Sequence, residues 1–89
     1  MTEQAAGTGG AEAALARLRG LLRERLEVIA DHALRERDPA AQLARLQFLS
    51  EEIAAWHRQW RAVLPARLNH FLDGASFQKA LAFIEAGGG

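Results

Sequence analysis

Hydrophobic positions recur along this chain with the period of an α-helix. From Ala11 to about Arg37, Leu15, Leu18, Leu22, Leu26, Ile29 and Ala33 follow at steps of 3, 4, 4, 3 and 4, which keeps them on one helical face. Leu21, Val28 and Leu34 widen that stripe, so the helix needs cover from more than one neighbour. Gly20 interrupts it at a cost of roughly 1 kcal/mol relative to alanine; it marks either a close helix approach or a weak spot.

Asp38-Pro39 punctuates the pattern. Proline disfavours the α conformation at the residue before it, yet it is well suited to the first position of a new helix behind an aspartate cap. A second helix is expected from Pro39 to about Leu64, about 39 Å long at 1.5 Å per residue. Its stripe is the cleanest in the chain: Leu46, Leu49, Ile53, Trp56, Trp60 and Val63 alternate steps of 3 and 4, with Leu43 and Leu64 flanking. So short a connection makes the two helices antiparallel neighbours. Folding about Arg37–Asp38 pairs residues whose numbers total about 75, which sets Leu22 against Ile53 and Ile29 against Leu46. It also sets Arg23 and Arg25 near Glu51 and Glu52, and Glu24 near arginines of the second helix.

Pro65 starts a short third helix, Pro65–Asp73, with Leu64, Leu68, Phe71 and Leu72 inward, and Gly74 is expected to end it in the left-handed conformation. Ser76 caps a last helix through Ala86, with Phe77, Ala80, Leu81 and Ile84 inward. Residues 1–10, with three glycines and no periodicity, read as a disordered leader; 11–86 as a single helical domain; and Gly87-Gly88-Gly89 as a flexible tail. The fold class is all-α: an antiparallel helical hairpin of two long helices followed by two short helices. Two short helices cover one end of such a hairpin, so the bundle is expected to be completed by dimerisation, two-fold dimers being the commonest oligomers.

Composition agrees. Of 89 residues, 19 are alanine and 13 leucine, while β-branched residues are few. Eleven basic and eleven acidic side chains give no net charge, which argues against a dedicated polyanion binder. With no cysteine, disulfides, thiolate metal sites and thiol nucleophiles are excluded. No apolar run approaches the roughly 20 residues of a membrane span, and Met1-Thr2-Glu3-Gln4 shows no secretory pattern. The expectation is a cytoplasmic protein with no membrane contact.

Candidate chemistry is sparse. His32, His57 and His70 include no pair at the i, i+3 or i, i+4 spacing that puts two ligands on one helix face. No metal site, cofactor or catalytic residue is assigned, and the chain is not expected to be an enzyme. The most distinctive segment is Trp56-His57-Arg58-Gln59-Trp60-Arg61. Both tryptophans lie on the seam, where packing outweighs ligand stacking. If partly exposed, they become interface anchors with Arg58 and Arg61, because tryptophan and arginine are enriched in binding hot spots. Phe83 falls off the inward line of its helix and joins them.

The expected function is therefore a small, non-enzymatic protein–protein interaction or oligomerisation module, an adaptor or regulatory subunit. It would pair with itself as a homodimer and dock another protein at the Trp56–Phe83 end. The alternative is a nucleic-acid-binding module using Arg58, Arg61, Arg67 and Lys79, less favoured because the last helix offers few base-reading side chains. A third reading, an arginine-lined ligand site, requires an enclosed pocket with two arginines lacking carboxylate partners.

Overall fold

The computed structural model describes residues 2–88, with side chains described for 10 and for 12–87. Five α-helices follow in order: α1 Thr2–Ala30, α2 His32–Arg37, α3 Pro39–Trp60, α4 Ala66–Asp73 and α5 Phe77–Phe83. A 3₁₀ turn, Arg61–Val63, follows α3, and a wide helical turn, Ile84–Gly88, follows α5. The all-α class and the hairpin of long helices followed by short ones are as the periodicity predicts.

Four features differ from expectation. The first helix does not run unbroken to Arg37. Asp31 leaves the helical region (φ −81°, ψ 85°), and its carboxylate accepts a hydrogen bond from the Leu34 amide at 2.9 Å. An aspartate satisfies free N-terminal amides better than it serves a helix interior, so Asp31 ends one helix and caps the next. Asp38 repeats the arrangement for α3, accepting from the Ala41 amide at 3.0 Å, with Pro39 at the first position. At the other end, α1 is helical from Thr2, so residues 2–10, expected as a leader, continue the helix backbone. Met1 and Gly89, at the tips of the two expected flexible segments, lie outside the described residues.

The register differs too. Arg17 pairs with Glu52 at 2.9 Å, Glu24 with Arg45, and the Gln42 side chain donates to the Val28 carbonyl at 2.9 Å. In each pair the residue numbers total 69 or 70, not 75. The chain starts to turn at Asp31 rather than Asp38, which moves the midpoint of the bend toward the N-terminus. Glu24 does meet an α3 arginine, but Arg23 pairs with Glu85 instead. Gln42 is buried, and its side chain shares the Val28 carbonyl near the end of α1 with the Asp31 amide, which donates to the same oxygen at 3.2 Å.

The α4–α5 turn holds the fourth difference. The Ser76 amide donates to the Phe71 carbonyl at 2.8 Å and the Ala75 amide to the Leu72 carbonyl at 3.1 Å, the two bonds of a Schellman ending. The left-handed residue is Ala75 (φ 55°), while Gly74 has φ −88°. The glycine stands one position early.

One core results. Ala14, Leu18, Leu21 and Leu22 of α1 meet Leu49, Ile53 and Trp56 of α3, Leu68 and Leu72 of α4, and Ala80, Leu81 and Ile84. These lie in the half of the hairpin away from the bend. The α4–α5 layer covers one face of that half and leaves the other face and the bend bare. Ile29, Leu43 and Phe48 are exposed as a consequence, Leu43 at 57% and Phe48 at 49%, and Val63 is exposed in the 3₁₀ turn. The Cα radius of gyration is 14.6 Å, against about 12 Å for a compact domain of this length.

Candidate interaction surface

The residues singled out by sequence occupy different settings. Trp56 is buried in the core and stacks on half-buried Trp60, ring centroids 6.2 Å apart and planes at 28°. The Trp56 Nε1 has no hydrogen-bond partner, an omission of the kind that costs about 1–3 kcal/mol. Phe83 is half-buried and meets Phe71 edge-on at 6.1 Å. Its departure from the inward line is explained by a second aromatic within this chain. Arg58 and Arg61 are exposed. The structure thus draws Trp56 and Phe83 into intrachain packing and does not gather the five into one exposed patch.

Arg61 belongs to a polar clamp. Its guanidinium donates to both Asp73 oxygens, at 2.8 and 2.6 Å, the bidentate geometry that arginine provides. Beside it, buried His57 donates from Nε2 to the Asn69 Oδ1 at 2.8 Å, and the Asn69 amide donates to the Arg61 carbonyl at 3.1 Å. The hydrogen bond from Arg61, with its positive charge, holds the Asp73 carboxyl below the usual carboxylate range, and the same bond raises the Arg61 pKa. This cluster fastens α4 to the end of α3. Asn69 carried no sequence signal, because its partners lie 8 and 12 residues away.

For the nucleic-acid alternative, Arg61 is committed to Asp73. Arg58 and Arg67 are exposed, whereas Lys79 lines a different depression with Arg25, Leu26 and Ile29. None of the five depressions described contains two arginines. Among the described residues no three histidine or carboxylate groups stand close enough to hold a metal ion, so His57 and His70 do not form a composite site with a carboxylate. Among the described residues no helix is long and apolar enough to cross a membrane.

Two apolar surfaces stay bare: one at the bend, where the flank of the stripe at Leu43 is expected from the sequence to need cover, and one at Phe48, which sequence reasoning missed. At the bend, Leu43 and Ile29 are exposed beside half-buried Leu26 and Leu46. On the hairpin face away from α4–α5, Phe48 stands exposed with the Arg45 guanidinium 5.5 Å from its ring centroid. The first lies toward the bend, past the start of α5, and the second on the face that the short helices leave bare. No protein-family model, no curated protein and no solved structure matches the chain.

Proposed function

We propose that this chain is a small non-enzymatic association module that pairs with itself, serving as an adaptor or regulatory subunit. The observation that carries the reading is incomplete cover. A two-layer helical domain stabilises itself by burying one stripe of each helix, and here the second layer covers only one face of the first. Exposed Phe48, Leu43 and Ile29 remain, on a body more extended than a compact domain of this length. A second copy supplies the missing cover most simply, and the absence of net charge means that copies do not repel one another.

Light scattering coupled to size-exclusion chromatography tests this, together with binding of an apolar dye. Self-association, with weak dye binding in the associated form, is the expected result. A monodisperse monomer that binds no dye removes the reason for the proposal.

A further inference from the structure

Two ion pairs cross the bare face of the hairpin, and their signs alternate. At one level Arg17 of α1 faces Glu52 of α3; seven residues along each helix, Glu24 of α1 faces Arg45 of α3. Seven residues are about 10.5 Å of helix. The four charges therefore stand at the corners of a rectangle, with like signs on its diagonals. Between the two levels lie Phe48 on α3 and Gly20 on α1, both exposed. A Cβ placed on Gly20 meets nothing within 4 Å, so that glycine serves no close approach within the chain.

Resting on the self-association reading above, we infer that this face, centred on Phe48 and Gly20, is the surface through which two copies pair. The argument is one of symmetry. An interface between identical chains must be complementary to itself under a two-fold rotation. A two-fold axis lying in this face, either along the helices or across them through the centre, brings each positive corner over a negative one. Arg17 then meets Glu52 or Glu24 of the second copy, and Arg45 meets Glu24 or Glu52. In both arrangements Phe48 falls at the middle, against Gly20 or against its own equivalent. An aromatic anchor in the centre, ringed by charges, is the usual anatomy of a hot spot. Two hairpins stacked in this way form a four-helix bundle with α4 and α5 on its outside.

The experiment is sedimentation equilibrium of the full chain over a concentration series, comparing wild type, Phe48→Glu and Leu43→Glu. Circular dichroism establishes that each variant retains its helix content; both side chains are about half exposed, so the fold tolerates the changes. Phe48→Glu is expected to raise the dimer dissociation constant about 30-fold or more, the effect of losing a hot-spot residue. Leu43→Glu is expected to leave it nearly unchanged, and high salt is expected to weaken the wild-type dimer through the charged corners. A dimer that survives Phe48→Glu, or one that Leu43→Glu dissociates instead, overturns this assignment and leaves self-association standing. A wild-type chain that stays monomeric throughout overturns both.

Discussion

The guanidinium carbon of Arg25 lies 4.7 Å from the centroid of the Phe77 ring. That contact marks where the second layer of the fold stops. Phe77 opens α5, and Arg25 reaches it from α1 while its Nε lies 3.5 Å from the Ser50 hydroxyl of α3. On the side of Arg25 away from the bend, side chains of both layers pack into a core; toward the bend, Ile29 and Leu43 are exposed.

If Arg25 ties the edge of α5 to the hairpin, Arg25 and Phe77 should be energetically coupled. A double-mutant cycle with Arg25→Met and Phe77→Leu, read by urea denaturation, is expected to give a coupling of about 0.5–1 kcal/mol. Strict additivity of the two changes would show that the stacking contributes nothing.

The break at Asp31 gives a second prediction. Asp31→Ala removes the bond to the Leu34 amide and should lower stability by about 1 kcal/mol. Asp38→Ala should do the same through the Ala41 amide. An unbroken helix through residue 31 would instead be strengthened by alanine, so the sign of the change at Asp31 decides between the two structures.

Ala75 offers a third. A non-glycine residue held in the left-handed region costs roughly 1 kcal/mol, and Ala75→Gly should recover about that amount in denaturation experiments. Gly74→Ala should be tolerated, because a Cβ there meets only the His70 carbonyl and the Ser76 hydroxyl at 3.6 and 3.7 Å.

The clamp predicts a dependence on pH. The Asp73 carboxyl is held below its ordinary value, so the folded state binds its proton more weakly than the unfolded state does. Its contribution is complete above the ordinary aspartate pKa of about 3.9 and is lost as pH falls through the lower folded value. Asp73→Asn should therefore be less stable than wild type near neutrality, and the gap should close only in strong acid. A gap independent of pH would mean that the carboxylate's charge is not what holds α4.

Much of this architecture is legible in the chain. Pro39 opens α3, Pro65 stands just before α4, and Phe77 follows the Ser76 cap position. Leu18, Leu22, Leu49, Ile53, Leu68, Leu72, Ala80, Leu81 and Ile84, taken from the expected stripes, form the core. The misses share one physical origin. Asp31, read by periodicity as one more helical position, is worth more as a cap. That single choice shifts the hairpin register. Ile29 and Leu46 lie on the correct stripe but are only partly covered, Ile29 at the very edge of α5, and periodicity does not measure how far the short helices extend. Phe48 lies off the stripe altogether, so a search for core residues passes over it. Gln42 and Asn69 answer backbone carbonyls of distant residues, and their partners become visible only once the chain is folded.

The most direct test of the account is the mass of the full chain in solution as a function of concentration. Sedimentation equilibrium should show the weight-average mass rising from 9.7 kDa toward twice that value, with Phe48→Glu holding it near the lower limit at the same concentrations. A wild-type mass that stays at 9.7 kDa across the series would contradict it.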